Sequence, residues 1–143
     1  MNMFLGLTVD QNDHQPPPRQ LDADETRRLR RRIETDTQCE ILFSQFDCGR
    51  YATDASHYQI FPIGVVTPRE RNDLSALIEI AKEYDICLTG RGGGTSQNGQ
   101  TINQSLVIDC SKYLNNITHL DTENRICHVE PGVVLDHLNA KLK

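Results

Sequence analysis

Positive charge is in short supply in this sequence: 15 lysines and arginines stand against 20 aspartates and glutamates, for a formal charge of −5 and a pI near 5.5. A chain with that balance has no broad basic face for nucleic acid, so an anionic ligand has to be held by local dipoles and a few cations. Paired cysteines are also missing. Cys39, Cys48, Cys87, Cys110 and Cys127 are scattered with no Cys-x-x-Cys pair, and an odd count without a signal peptide points to reduced thiols in a cytoplasmic chain, free or peripheral to the inner face of the membrane. The start, Met1 to Leu7, lacks the basic region and long apolar stretch of a secretion signal, and no apolar run is long enough to span a bilayer. His14, His57, His119, His128 and His137 show no His-x-x-x-His or related spacing, so no metal site is expected. Repeats and low-complexity tracts are absent. What is left is 143 residues, 37% of them hydrophobic, enough for one domain with a modest core.

Glycine is concentrated in one place. The stretch Leu88-Thr89-Gly90-Arg91-Gly92-Gly93-Gly94-Thr95-Ser96-Gln97-Asn98-Gly99-Gln100 holds five of the nine glycines and follows an apolar run. Glycines can turn several backbone N–H groups toward one point, where a phosphate oxygen can approach closely. Thr95 and Ser96 add hydroxyl donors and Arg91 a fixed positive charge. By composition alone a surface loop would look the same. The spacing excludes a Gly-x-x-x-x-Gly-Lys-Ser/Thr phosphate loop, and no apolar helix follows as a Rossmann turn requires.

Around this loop the pattern is α/β. Asp10 to Gln20, with Pro16-Pro17-Pro18, reads as an extended strap or linker over residues 1–20. A helical lead-in occupies 21–50: Asp22 to about Thr37 is a helix with Leu21, Leu29 and Ile33 on a narrow apolar stripe, and its cluster Arg27 to Arg32 reads as a solvated face. Cys48 to Gln59 reads as a structured loop. Ile63 to Val66 is a short buried strand, and Thr67-Pro68-Arg69-Glu70 predicts a capping box with Pro68 at the first helical position. Leu74, Leu77, Ile78, Ala81 and Tyr84 then form one face of a helix. Ile86 to Thr89 and Ser105 to Asp109 are further strands. The first and second of the three strands, with the helix between them, make a parallel βαβ unit that delivers the chain into the glycine loop, the end at which open α/β sheets bind ligands. Asn116–Asp121 and Ile126–Glu130 alternate as a hairpin closed at Pro131-Gly132, and Val134, Leu135, Leu138 and Leu142 fit the inner face of a last helix. That helical pattern is still running at Lys143, so 51–143 is expected to be the N-terminal part of a longer domain.

From Tyr51 onward these phrases resemble the FAD-linked oxidases, the vanillyl-alcohol-oxidase-type flavoproteins with a PCMH-type FAD-binding domain. The resemblance rests on Thr53-Asp54-Ala55-Ser56-His57-Tyr58-Gln59, Pro62, Val65 to Arg69, Arg91 to Gln100, Asn103-Gln104, Ile108 to Ser111 and Val129 to Val133. Within the family the chain is most similar to the bacterial flavin and iron–sulfur D-2-hydroxyacid dehydrogenases, which oxidise D-lactate or D-2-hydroxyglutarate. The resemblance implies that the backbone amides of the loop wrap the FAD pyrophosphate. It assigns FAD contacts to Arg91, Gly92, Gly93, Gly94, Thr95, Ser96, Asn98, Gly99 and Gln100, and to Pro131 and Gly132 on the other side of the cofactor. Family members that bind FAD covalently through this loop carry a histidine where Thr95 stands, so non-covalent FAD is expected. The substrate domain and, in that branch, the iron–sulfur cluster region belong to sequence beyond residue 143 or to a second chain.

Two polar groups near the loop have competing roles. Asp109 and Ser111 form a capping turn or a polar cluster, and Asp54 and Ser56 brace the loop, approach the adenine end of FAD, or make a local turn. Oxidising a 2-hydroxy acid also needs a base and cations for the carboxylate, and no residue here presents itself for those tasks. A flavoenzyme portion and a non-catalytic module that binds a nucleotide or a protein are both compatible with the residues themselves.

Overall fold

The computed structural model describes residues 19–143; the triple proline and the rest of the expected strap up to residue 18 lie outside the described residues. Helix α1 spans Ala23–Asp36. It starts where Asp22 accepts a hydrogen bond from the Glu25 backbone N–H at 2.7 Å while Glu25 reaches back to the Asp22 N–H at 3.1 Å, a reciprocal cap that satisfies two otherwise orphaned donors. Its arginines are mostly spent on surface pairs, Arg27 with Asp24, Arg30 with Glu34 and Arg32 with Asp36 and Glu83, as a solvated face requires. Strand β1 (Glu40–Leu42) and helix α2 (Gln45–Arg50) follow. Neither is signalled by periodicity. Three residues are too few to show alternation, and the cue for α2 is local: the Ser44 hydroxyl accepts from the Asp47 N–H at 3.1 Å.

Strand β2 (Gly64–Thr67), helix α3 (Arg71–Tyr84), strand β3 (Leu88–Arg91) and strand β4 (Leu106–Asp109) complete the main sheet. Its order is β1-β2-β4-β3, with β2, β4 and β3 mutually parallel and β1 antiparallel at the edge. The two strands of the expected βαβ unit are therefore not neighbours, because β4 lies between them. All four residues of β4 are buried, whereas β3 carries the exposed Gly90, and the more apolar strand takes the doubly covered central place.

The expected cap of α3 is corrected. Thr67 ends β2 and is buried, and the helix begins at Arg71. The capping carboxylate is Asp73, only 3% exposed, which accepts from the backbone N–H groups of Gln38 (2.8 Å), Arg69 (2.8 Å) and Glu70 (3.2 Å). It fastens the entry of α3 to the approach of β1. The inner face of α3 is also shifted, with Ile80 buried and Ile78 46% exposed.

One face of the sheet presents Val66, Leu106 and Ile108 to Leu29 and Ile33 of α1 and Leu77, Ile80 and Ala81 of α3. Val65 and Val107, pointing the other way, are fully buried as well, on the side where α2 meets β2. Each such aliphatic side chain contributes about 1.5–3 kcal/mol through burial. Beyond the sheet, β5 (Ile117–Asp121) and β6 (Ile126–Val129) form the expected hairpin, with His119 opposite His128 and their rings 5.5 Å apart. Asp121 holds the turn by accepting from the N–H groups of Glu123 and Asn124 and from the Asn124 amide. Helix α4 (Leu135–Lys141) buries none of its residues, and Val134, Leu135 and Leu142, expected on an inner face, are each more than half exposed among the described residues.

Candidate functional site

The glycine loop leaves the carboxyl end of β3, and its two ends are fixed to the sheet before any ligand is considered. At its start the Cys110 N–H donates to the Arg91 carbonyl at 2.9 Å. At its end the buried hydroxyls of Thr89 and Ser105 meet at 2.6 Å, and the Ile63 N–H donates to the Ser105 carbonyl at 2.9 Å. Between these points the backbone is left-handed at Gly94 (φ 67°) and Gly99 (φ 76°), the two positions where an L side chain would be strained.

The inner part of the loop is stitched to itself. Ser96 Oγ accepts from the N–H groups of Asn98 (3.4 Å) and Gln100 (3.2 Å) and bonds the Gln100 side-chain oxygen. The hydroxyl of Ser96, the N–H of Asn98 and the side chain of Gln100 thus shape the turn. By contrast, among the described residues no protein acceptor takes the N–H of Gly92, Gly93, Gly94, Thr95 or Ser96. Five successive backbone donors without partners, on a stretch with no acidic residue from 88 to 104, form a local positive field in a net-negative molecule.

Arg91 turns its side chain toward protein carbonyls. Its guanidinium runs behind the loop, donating to the carbonyls of Thr53 (3.0 Å), Thr101 (3.4 Å) and Tyr51 (3.5 Å) and lying 5.2 Å from the centre of the Tyr51 ring. The Tyr51–Tyr58 segment is the loop's backing. The Ala55 N–H donates to the Gly94 carbonyl at 3.1 Å, Thr101 Oγ1 donates to Asp54 at 2.9 Å, and Tyr58 packs where a Gly99 side chain would stand. Asp54 also accepts from the Ser56 N–H at 2.9 Å, so it makes a local turn and braces the loop together. These bonds, first from Ser56 and then from Thr101, hold the Asp54 carboxyl below its usual range. Asp109 likewise accepts from the Ser111 N–H (2.8 Å) and the Tyr51 hydroxyl (2.6 Å). Burial first, and the carboxylate second, push the Tyr51 phenol up to about 12, so it stays a hydrogen-bond donor. Sequence spacing missed Tyr51 and Thr101 because their partners lie 58 and 47 residues away.

Pro131 and Gly132 arrive beside the loop by close packing. The buried Gly132 donates its N–H to the Leu114 carbonyl at 2.8 Å, and a Cβ at this position would overlap the Cys110 carbonyl oxygen outright. A Cβ on Gly92 would stand 3.7 Å from the Pro131 carbonyl. Together they enclose a cavity of about 380 Å³ lined by Gly92, Gly93, Thr95, Pro131, Gly132, Val133, Val134, Leu135 and Asp136. Loop and Pro131-Gly132 therefore meet, and the volume is in the range of a ligand pocket. A larger groove of about 560 Å³ on the far side of Pro131, between α3 and the hairpin, contains none of the loop. The nearby thiol of Cys110 is buried, which together with Asp109 raises its pKa and makes it a poor nucleophile. Among the described residues no cluster of three metal-ligating side chains is present, and no helix is long and apolar enough to cross a membrane.

Residues 62–143 match the family described as FAD binding domain. The chain belongs to that family. The chain is 43% identical over 95 residues to a D-2-hydroxyglutarate dehydrogenase of Pantoea ananatis, covering 64% of this chain and 9% of that protein. It is 37% identical over 116 residues to the D-2-hydroxyglutarate dehydrogenase of Haemophilus influenzae, covering 76% of this chain and 11% of that protein. The chain thus spans about a tenth of the length of these relatives. Among solved structures, 4-ethylphenol oxidase from Gulosibacter chungangensis superposes with a TM-score of 0.69 at 16% identity, over 89% of this chain and 26% of that one. p-Cresol methylhydroxylase superposes with a TM-score of 0.66 at 16% identity, over 88% and 27%. The fold is that of the PCMH-type FAD-binding domains.

Proposed function

We propose that this FAD-binding domain supplies the pyrophosphate-holding part of a flavin-dependent dehydrogenase that oxidises a small D-2-hydroxy acid, D-lactate or D-2-hydroxyglutarate in type. The observation that carries the reading is the run of five N–H groups, Gly92 to Ser96, without a protein acceptor among the described residues, with Gly92, Gly93 and Thr95 lining one cavity together with Pro131 and Gly132. The residues fit a dinucleotide: the donors are neutral backbone groups, Gly92 and Gly93 leave room for close approach, and Thr95, which lines the cavity, adds a hydroxyl. Asp136 at the α4 side of the cavity favours an orientation that keeps the phosphates on the glycine side. When bound, FAD supplies the acceptor for a hydride, chemistry that belongs to the cofactor. The chain's part is to bind and orient it, non-covalently, since Thr95 cannot be flavinylated as a histidine can. The names of the homologues support the substrate class, and the substrate pocket and iron–sulfur ligands are assigned to sequence outside these 143 residues or to a second chain.

The test is an amide NMR titration of the 143-residue chain with FAD. Saturable shifts centred on Gly92 to Ser96 are expected, with affinity weaker than about 10 µM because much of the cofactor stays uncovered, and no turnover of D-lactate or D-2-hydroxyglutarate with an artificial acceptor. Absence of any shift in this loop would refute the cradle, and submicromolar binding with turnover would refute the division of labour. Translating the DNA that follows the Lys143 codon tests the rest: a substrate domain there, or in an adjacent frame, is the expected result.

A further inference from the structure

We propose that Arg91 is a positioning residue for the pyrophosphate loop and not a phosphate ligand, and that Gly94 is glycine to make room for it. The proposal rests on the reading of Gly92–Ser96 as the FAD cradle. Arg91 is the last residue of β3, opposite Asp109 of β4, so its backbone belongs to the rigid sheet. Its side chain turns back under the loop and gathers three carbonyls from two separate segments, Tyr51 and Thr53 between α2 and β2 and Thr101 at the loop's far end. The ring of Tyr51, itself held by its hydroxyl on Asp109, covers the guanidinium at 5.2 Å. A Cβ on Gly94 would fall 2.5 Å from Arg91 Nη2 and 2.9 Å from Cζ. The loop therefore rests directly on the guanidinium, at a residue whose left-handed φ of 67° glycine adopts without strain.

The physical consequence is a cradle made ready in advance. Five N–H groups bind an anion well only if they are held in place before it arrives. A planar fork with five donors can span carbonyls that diverge in direction, and stack on an aromatic ring at the same time; a lysine ammonium at the end of a flexible stem cannot hold that geometry. A direct ionic role and a positioning role therefore separate at Arg91→Lys, which keeps the charge and loses the fork.

Three measurements on the full 143-residue chain decide the matter. In ligand-free protein, Arg91→Lys and Arg91→Met should both raise amide hydrogen exchange about tenfold or more at Ala55, which donates to Gly94, and at Ile102, which donates to Gly99; unchanged exchange at these amides would overturn the proposal. In FAD titrations both variants should weaken binding by about ten- to a hundredfold and to a similar extent; a lysine variant within about twofold of wild type beside a crippled methionine variant would show a direct charge contact and overturn it. The third needs no variant: inorganic pyrophosphate added to the wild type should shift the amide signals of Gly92–Ser96 and leave the Arg91 Nε–H signal nearly still. A guanidinium signal that moves most overturns the proposal. If the wild-type loop answers neither pyrophosphate nor FAD, the cradle itself fails and the positioning role with it, while the exchange data still show whether Arg91 holds the loop.

Discussion

Replacing Gly132 by alanine should destabilise the protein by roughly 2–3 kcal/mol, although the added group is one methyl. A Cβ built on Gly132 overlaps the Cys110 carbonyl oxygen and stands 2.8 Å from both the Cys110 carbonyl carbon and the Leu114 carbonyl oxygen. These are backbone atoms at the end of β4 and in the turn after it, so no side-chain rotation relieves the overlap. The segment from Glu130 to Val133 has to move out, and the 2.8 Å bond from the Gly132 N–H to Leu114 breaks. Overpacking costs about 1–3 kcal/mol and the lost hydrogen bond about 1 kcal/mol. The lower conformational freedom of alanine in the unfolded chain offsets about 0.4–1 kcal/mol of this. The corresponding fall in Tm is roughly 5–10 °C for a chain of this length. Gly93→Ala is the matched control: its backbone φ is not left-handed and its Cβ would meet only the Thr95 methyl at 3.6 Å, so a change within about 0.5 kcal/mol is expected. Urea unfolding of both variants, followed by circular dichroism at 25 °C, gives the comparison. Equal midpoints and slopes for the two would refute the close-approach argument, and with it the account of how Pro131 is held against the loop.

The other expectations concern the loop and the edge strand. Gly93→Val should leave the melting curve near wild type while abolishing the FAD-dependent shifts at Gly92–Ser96, because its side chain enters the cavity; unchanged FAD affinity would count against the loop as the binding site. FAD bound by the complete protein should pass into the supernatant on acid precipitation, and flavin that stays with the pellet would rule out non-covalent attachment. The last concerns acid. Lys112 first, Tyr113 next and Arg69 also hold the Glu40 carboxyl below its usual 4.5. A depressed folded-state pKa means that this tether's contribution is present above about pH 4.5 and is lost as the pH falls through the lower folded value. Glu40→Gln should therefore flatten the stability loss of the wild type below pH 4.5, and parallel acid-unfolding curves would show that the cluster between β1 and the segment after β4 contributes nothing measurable.

What the sequence by itself determined was what short-range chemistry writes. The helix from Asp22, the apolar strands, the hairpin and the glycine loop at the exit of a strand all follow from spacing within a few residues, since helical and strand periods repeat locally. The family resemblance reached the loop and Pro131-Gly132 for the same reason, through contiguous phrases. Only the tertiary structure decided that β4 lies between the two strands of the βαβ unit, because strand order is set by long-range pairing, which no local period records. It also decided that Asp73 and not Thr67 caps α3, once Thr67 was drawn into the sheet and Gln38, 35 residues earlier, brought its N–H to the same carboxylate. It decided above all where Arg91 points. The carbonyls of Tyr51 and Thr53 lie about forty residues away, and no local period records which distant acceptor a long, charged side chain will meet once the backbone has folded around it.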